Sequence, residues 1–266
     1  MSSAPKPQVD TSRAQPARVY DWLLGGKDNY EVDRIVGKQL PLVVRRSARQ
    51  NRAFMHRAAG WLAGLGVDQF LDIGTGIPTA PNLHQVVQGI NPSARVVYAD
   101  NDPIVLRHAE ALLVSNREGK TAYIQADVRR PDLILEHARH SLDFGRPVAV
   151  SLVALLHFVG DEDDPYDSVR TLVGALAPGS FLVLSHGTFD FEPDGARTIA
   201  APYQSGGITI HPRSRAEVER FFDGLDLVEP GLVIAPKWRK DKQRPSQARS
   251  AVYAGVAAVR SPLNSR

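Results

Sequence analysis

The chain of 266 residues is long enough for one large α/β domain, or for one domain with an added N-terminal segment. Hydrophobic residues make up 43% and charged residues 23%, as in ordinary globular proteins, and a formal charge of +3 does not by itself indicate a nucleic-acid partner. The absence of cysteine excludes disulfides, thiolate metal sites and thiol nucleophiles. No signal-peptide core or membrane-length apolar run is present, so we expect a cytoplasmic protein with no membrane partner.

The N-terminal quarter predicts a tail followed by two helices. Residues 1–15 are polar and rich in Ser, Pro and Ala, and we expect them to be disordered. A short helix over 17–24 ends at paired glycines, and a longer one over 42–65 carries an apolar stripe. We therefore expect a helical extension over residues 16–66, acting as a lid, and a main domain over 67–266.

The longer helix also carries several arginines, which predict a solvent-exposed charged face. They are Arg45, Arg46, Arg49, Arg52 and Arg57.

Strands alternate with helices in the main domain. Apolar runs predict strands over 70–73, 94–100, 121–126, 147–156 and 180–185. Helix signals stand between them: a polar-apolar pattern over 82–90, and starts at Pro103, Pro131 and Pro165. Such units predict an α/β, Rossmann-like, doubly wound and mostly parallel sheet.

The C-terminal part departs from this alternation. Residues 187–213 form a Gly- and Pro-rich insertion at the end of the sheet where such folds bind ligands. The capping box Ser214–Glu217 starts a helix. Strands over 227–234 and 251–259 follow with no helix between them. The sheet is therefore expected to have seven strands and to end in an antiparallel hairpin.

The first strand of the domain ends in an acid and runs into a glycine turn. The residues are Asp72, Gly74, Thr75 and Gly76, and Thr79 stands where a dinucleotide site would have its third glycine. A carboxylate at this point repels a pyrophosphate and attracts a cationic amine or sulfonium. The turn therefore favours S-adenosylmethionine as the cofactor over a nicotinamide dinucleotide.

Further acids end the next two strands. Asp100, followed by Asn101, is placed to accept the hydroxyls of a ribose. Asp127 and Val128 are placed to meet the exocyclic amine and a ring nitrogen of adenine. Each acid alone is typical of a strand-end cap, but acids at the ends of three successive strands would line one crevice.

On these residues the chain resembles the class I S-adenosylmethionine-dependent methyltransferases. More narrowly, it resembles a bacterial family of S-adenosyl methyltransferases formerly known as a domain of unknown function. The matching segments are 17–21, 24–30, 72–79, 98–103, 155–158, 184–186 and 220–225. The last strand departs from the family in lacking a basic, glycine-rich ending. The resemblance implies the cofactor and no particular substrate.

The resemblance also implies roles for the residues after the first helix. Gly25 and Gly26 would form a hinge with backbone contact to the cofactor, Lys27 would reach its carboxylate, and Tyr30 would pack against cofactor or substrate. Composition alone favours a helix C-cap and an exposed turn, and the resemblance favours the cofactor roles instead.

Methyl transfer needs a general base only when the nucleophile must lose a proton. His157 follows the fourth strand, beside Leu156, at a position where related enzymes place residues that contact the cofactor and face the methyl group. It is the leading candidate for a base, ahead of His186 and Tyr30.

Two charged segments were weighed as binding sites. The acids at 161–164 predict helix-start capping rather than a metal site. The basic segment 237–244, which includes a tryptophan, predicts a solvated loop rather than a nucleic-acid site.

A small-molecule acceptor, methylated on oxygen or nitrogen, is therefore the leading hypothesis. The chain lacks both the cysteine of C5-cytosine methylases and the D/N-P-P-Y motif of amino-base methylases, which disfavours DNA and RNA as substrates. A non-enzymatic protein that binds S-adenosylmethionine and an NAD-dependent oxidoreductase remain as alternatives. The sequence does not indicate an oligomeric state.

Overall fold

The computed structural model describes residues 10–112, 115–191, 193–239 and 249–260. The strands are β1 (Gln69–Ile73), β2 (Arg95–Asp100), β3 (Lys120–Gln125), β4 (Ala149–Val153), β5 (Phe181–Gly187), β6 (Asp226–Leu227), β7 (Val233–Ile234) and β8 (Val252–Ala258). The helices are α1 (Pro16–Leu24), α2 (Glu31–Gln39), α3 (Leu42–Gly64), α4 (Leu83–Gln88), α5 (Pro103–Leu112), α6 (Pro131–Ala138), α7 (Pro165–Gly174), α8 (Ala196–Ser205) and α9 (Arg215–Glu219).

The strands form one mixed sheet in the order β3-β2-β1-β4-β5-β8-β6, with β7 also paired to β8. β1 to β5 are parallel, and β8 runs antiparallel to β5, β6 and β7. This confirms the Rossmann-like, mostly parallel sheet with an antiparallel C-terminal end. Parallel strands place their carboxyl ends along one edge, so Asp72 near the end of β1 and Asp100 at the end of β2 lie at the same edge, with Asp72 in register with Tyr98.

Both faces of the sheet are buried, as is typical of parallel sheets covered by helices. On one face, Phe70 and Val96 pack beneath α3; on the other, Leu71 and Val97 pack beneath α6 and α7. The alternation along each strand decides which residue enters which layer.

A third apolar cluster joins the N-terminal helices to α8. It contains Val19, Leu23, Val36, Ala48, Ile199 and Tyr203. Packing within this cluster holds α1 against the carboxyl edge of the sheet.

Several predicted elements differ from the structure. The strand expected over 227–234 is divided into β6 and β7 by a turn in which Gly231 has φ of +79° and donates to the carbonyl of Val228 at 2.8 Å. The described chain therefore contains eight strands rather than seven. α2 was not predicted, and α8 lies inside the segment 187–213 that was expected to be a loop.

The predicted domain boundaries, 15/16 and 66/67, stay predictions. Residues 1–9 of the expected tail lie outside the described part of the chain, and Ala14 is buried within the third cluster. None of the described helices is both long and apolar enough to cross a membrane.

Candidate functional site

A crevice opens at the carboxyl ends of the first strands. It brings together the acids and the glycine turn that the sequence singled out: Asp72, Gly74, Thr75, Gly76, Asp100, Asn101, Asp127 and Val128. α1 covers it with Pro16, Ala17 and Tyr20, and α3 contributes Arg52 and Met55.

The backbone amides of the glycine turn are committed within the protein. Gly74 and Gly76 have φ of +73° and +66°, which glycine adopts without strain. The amides of Gly74 and Thr75 donate to the carbonyl of Ala99 at 2.8 and 3.3 Å, and that of Gly76 donates to the Asp100 carboxylate at 2.9 Å. These amides are therefore not free to bind a pyrophosphate, which a dinucleotide site requires.

Asp72 and Arg52 place opposite charges at one end of the crevice. Burial raises the pKa of Asp72 to about 6, and the charge of Arg52 acts in the opposite direction. The Arg52 Nη2 donates to the carbonyls of Thr79 and Pro81, while its buried Nε has no partner among the described residues. Arg52 is thus half-buried in the crevice and not on a solvated face, as its position in the helix had suggested.

Arg57 departs from that prediction in the same way. Its Nε donates to the carbonyl of Trp238 at 2.9 Å and its Nη2 to that of Ala235 at 2.7 Å. Arg46 and Arg49 are exposed as expected.

Asp100 is held by the backbone and keeps capacity for a ligand. Its two oxygens accept the amides of Gly76 and Asp102, each at 2.9 Å. Burial raises its pKa to about 6 despite these bonds. Each carboxylate oxygen can accept a second hydrogen bond, so the predicted pairing with two ribose hydroxyls is geometrically open.

Asp127 is more fully engaged than the sequence suggested. One oxygen accepts the amide and Nε of Arg129 at 3.0 and 2.9 Å, and the other accepts Arg129 Nη2 at 2.6 Å and Asn101 Nδ2 at 3.0 Å. Burial would raise the pKa of Asp127, but the bonds from Arg129 lower it to about 2. An adenine amine would have to replace one of these donors. The amide of Val128 has no hydrogen-bond partner in the described chain, so it can donate to adenine without displacing another group.

The paired glycines form a structural turn around Asp21. Gly25 caps α1 with φ of +90°, and a Cβ on Gly26 would overlap the Asp21 carboxylate. That carboxylate also accepts the amide of Asp28 at 3.0 Å and Nδ2 of Asn29 at 2.7 Å. Gly26 is needed because the chain passes too close to Asp21 for a side chain, and Gly25 because its positive φ is strained for other residues.

The residues after these glycines also stay away from the crevice. Lys27 is exposed, and the amide of Tyr30 donates to Asp33 at 2.8 Å where α2 begins. The described structure therefore does not bring Gly25, Gly26, Lys27 or Tyr30 to the crevice. Residues earlier in α1 cover it instead, and no local sequence signal distinguishes them.

A second cavity, which we call the chamber, adjoins the crevice. The residues that line it come from α1, α3, α8 and the loops after β4 and β5: Pro16, Tyr20, Leu23, Val44, Ser47, Ala48, Asn51, Ala154, His157, Phe158, Gly187, Thr188, Phe189, Ile199, Tyr203, Ile210, Pro212, Ala251 and Val252. Four of them, Pro16, Tyr20, Ala154 and Phe158, also line the crevice, so the two cavities share a wall.

A buried chain of hydrogen bonds fixes this shared wall. The amide of Ala154, at φ of +56°, donates to Ser185 Oγ at 2.9 Å, and Ser185 Oγ donates to Asn51 Oδ1 at 2.6 Å. Asn51 Nδ2 donates to Tyr20 Oη, which donates to the carbonyl of Ala48, both at 3.0 Å. Non-glycine residues with positive φ cluster at functional sites, where surrounding structure holds them.

His157 lines the chamber, and its ring accepts a hydrogen bond from the backbone. The amide of Gly187 donates to His157 Nδ1 at 3.3 Å. Burial, aided by the nearby His186 and Arg213, lowers the pKa of His157 well below its usual value, so the ring is neutral. A neutral ring that accepts at Nδ1 carries its hydrogen on Nε2, which has no partner in the described chain. In this tautomer Nε2 has no lone pair with which to take up a proton, and the role of His157 as a general base stays a prediction.

His186 is committed on both nitrogens. Nδ1 donates to the carbonyl of Gly187 at 2.8 Å, and Nε2 accepts from Arg213 Nη1 at 3.0 Å. Burial lowers its pKa to about 3. His186 is absent from the lining of both cavities, and its role as a base stays a prediction.

Arg213, which was not predicted from the sequence, holds the segment after β4 in place through hydrogen bonds. It is 4% exposed, and it donates to the carbonyls of Leu156 and Val159, each at 3.0 Å, and to Asp161 at 2.6 Å. Leu156 is fully buried and is not part of the crevice lining, so the structure does not place it where the predicted contact with the cofactor would be.

Asp163 and Asp164, two further acids of 161–164, have structural partners as well. Asp163 pairs with Arg129 at 3.3 Å, and Asp164 caps α7 by accepting the amide of Asp167 at 3.0 Å. Among the described residues, no group of acids and histidines is arranged to hold a metal ion.

The basic segment 237–244 is described only as far as residue 239. Trp238 is fully buried, edge-on to Phe54, and Arg239 lies over the Trp61 ring at 4.2 Å. Trp238 is therefore not available to stack on a base, and residues 240–244 lie outside the described part of the chain.

Comparison with known proteins identifies the family of the chain. The family model for S-adenosyl methyltransferases matches residues 2–260. No curated protein matches the chain.

Solved structures resemble the whole fold. A DUF574 family protein from Streptomyces avermitilis is 44% identical, with a TM-score of 0.90, over 95% of this chain and 100% of that one. A provisionally assigned methyltransferase from Thermobifida fusca is 40% identical, with a TM-score of 0.86, over 98% and 100%. Magnesium protoporphyrin IX methyltransferase from Synechocystis, solved with S-adenosylhomocysteine, is 12% identical, with a TM-score of 0.52, over 91% and 93%, and shares the fold alone.

Proposed function

Since the chain belongs to the S-adenosyl methyltransferase family and is an S-adenosylmethionine-dependent enzyme, we propose that it methylates oxygen or nitrogen of a small molecule held in the chamber. The shared wall of Pro16, Tyr20, Ala154 and Phe158 carries this proposal. An acceptor in the chamber would lie next to a cofactor in the crevice, and α1 would keep water from both.

The crevice suits a cationic cofactor without phosphates. The amides of its glycine turn are already used, and its described lining has more carboxylates than arginines, since Arg129 is paired with Asp127 and Asp163 and only Arg52 is left there to face a ligand carboxylate. We propose that Asp100 accepts hydrogen bonds from the ribose hydroxyls. Asp127 would accept one from the exocyclic amine of adenine, and the amide of Val128 would donate one to a ring nitrogen. Asp72 would attract the amino group, and Arg52 would hold the carboxylate through its underused guanidinium. When bound, S-adenosylmethionine supplies a methyl group activated by a positive sulfur.

The residues of this chain mainly orient and enclose the reactants. The hydrogen bonds through Ser185, Asn51 and Tyr20 fix the boundary between crevice and chamber. Such fixed positioning can supply much of the rate enhancement in a displacement reaction. His157 would donate from Nε2 to a polar atom of the acceptor, and a proton left on the methylated atom would be lost to solvent when the product leaves the chamber.

Transfer of labelled methyl groups tests this function. The protein would be incubated with methyl-labelled S-adenosylmethionine and a bacterial extract, separated by size into metabolites, nucleic acids and proteins. Label in the metabolite fraction, lost with Asp100→Asn, is the expected result. Label confined to nucleic acid or protein would contradict a small-molecule acceptor while leaving the methyltransferase activity in place.

A further inference from the structure

The chamber lining carries no charged side chain among the residues that the structure describes. Asp, Glu, Lys and Arg are all absent from it. Its walls are mainly aliphatic and aromatic, with Phe158, Phe189, Ile199 and Ile210 on the sides that α8 and the loops provide. The crevice differs, since it is lined by several carboxylates and two arginines.

Most polar atoms in the chamber already have partners. Tyr20 and Asn51 bond to each other and to neighbours, and Ser47 Oγ accepts the amide of Ala251 at 2.9 Å. Two groups have no hydrogen-bond partner in the described chain: the hydroxyl of Tyr203 and Nε2 of His157. The chamber can therefore satisfy one or two polar atoms of a ligand but cannot neutralise a charge.

From these contacts we infer that the chamber is the acceptor site and that it takes an uncharged, largely apolar molecule with a hydroxyl or similar polar group. This inference rests on the proposed function, because it assigns the acceptor of that reaction. An ion placed there would lose its hydration without gaining a counterion, which is far more costly than burying a hydrogen-bonded hydroxyl.

Three probes of one size and different charge test this inference. Benzyl alcohol, benzoate and benzylammonium would be titrated by NMR into the full chain saturated with S-adenosylhomocysteine. We expect benzyl alcohol to bind and both ions to bind at least about tenfold more weakly. An ion that binds as tightly as the alcohol, or an alcohol that does not bind at all, would overturn the inference.

Substitution at Ile210 locates the probe. Ile210 is half-buried, so a lysine there can bring its charge to the chamber while its stem stays packed. Ile210→Lys should lower the affinity for benzyl alcohol and raise the affinity for benzoate. Ile35→Lys serves as the control, because Ile35 is half-exposed on α2 outside both cavities, and it should change neither affinity. Unchanged binding in Ile210→Lys would place the probe elsewhere and refute the assignment.

Binding of S-adenosylhomocysteine itself separates the two proposals. Retained binding in each variant shows that the crevice is intact, so a failure of the probes then concerns the chamber alone. Loss of this binding in the unmodified protein would instead remove the proposed function, and the acceptor assignment with it.

Discussion

Arg18 and Asp102 form a buried ion pair, with 3.3 Å between Nε and Oδ2, that ties α1 to the loop after β2. The amide of Asp102 in turn donates to Asp100. The helix that covers both cavities is thus anchored next to the carboxylate proposed to bind the ribose.

Loss of this pair should destabilise the protein. Arg18→Met leaves the buried Asp102 without its partner, and we expect the free energy of unfolding to fall by about 2 kcal/mol. Urea denaturation measures it. In the double variant with Asp102→Asn the loss should be smaller than the sum of the single losses. Strict additivity would show that the two side chains do not interact.

Arg52 should matter for one end of the cofactor only. Arg52→Met is expected to lower the affinity for S-adenosylhomocysteine about tenfold or more, because the variant loses a charged hydrogen-bond donor to the ligand carboxylate. Methylthioadenosine lacks the amino-acid end, so its affinity should stay within about twofold. Calorimetric titration of both ligands provides the comparison, and equal losses for the two would assign Arg52 a general structural role instead.

Cofactor binding should depend on pH near the raised pKa of the crevice acids. Asp72 and Asp100 have pKa values of about 6, so they are ionised above that pH and become protonated below it. We expect the affinity for S-adenosylhomocysteine to be constant above pH of about 7 and to fall as pH drops through about 6, because only ionised carboxylates accept on both oxygens.

The Asp100→Asn variant should bind more weakly at neutral pH and show a shallower pH dependence. Asp223→Asn, an exposed position away from the crevice, serves as the matched control. A wild-type affinity that does not change between pH of about 5 and 8 would contradict ionised carboxylates at the site.

His157 should tolerate glutamine. The amide of glutamine can still donate into the chamber, so His157→Gln is expected to lower kcat by less than about tenfold. Loss of a general base would cost about a hundredfold or more and would remove a group from the pH profile. Methyl-transfer rates with an identified acceptor distinguish these results, and the larger loss would restore His157 as the base.

The parts of the site that follow from strand register were predictable from the sequence. Asp72 and Asp100 end neighbouring parallel strands, so their meeting requires only the correct sheet order. The cover of the crevice was not predictable in this way. Tyr20 reaches it because α1 packs on α3, where its hydroxyl bonds to Ala48 and Asn51, 28 and 31 positions further along the chain.

The paired glycines show the same limit. A glycine pair is compatible with close approach to a ligand or to the protein itself, and the sequence does not state which. Here the neighbour is Asp21 of the protein itself. The two residues that donate to its carboxylate, Asp28 and Asn29, follow it by seven and eight positions. Likewise, three of the four bonds to Asp127 depend on Arg129 folding back, which a strand-end pattern does not specify.

The wall shared by crevice and chamber links the affinities of two ligands. Pro16 and Tyr20 would touch both, so a ligand that holds α1 in place in one cavity also preserves the surface that the other ligand needs. By thermodynamic linkage, each ligand must then change the affinity of the other by the same factor. A cofactor bound first would prepare the acceptor site, and an acceptor in place would slow the departure of the cofactor.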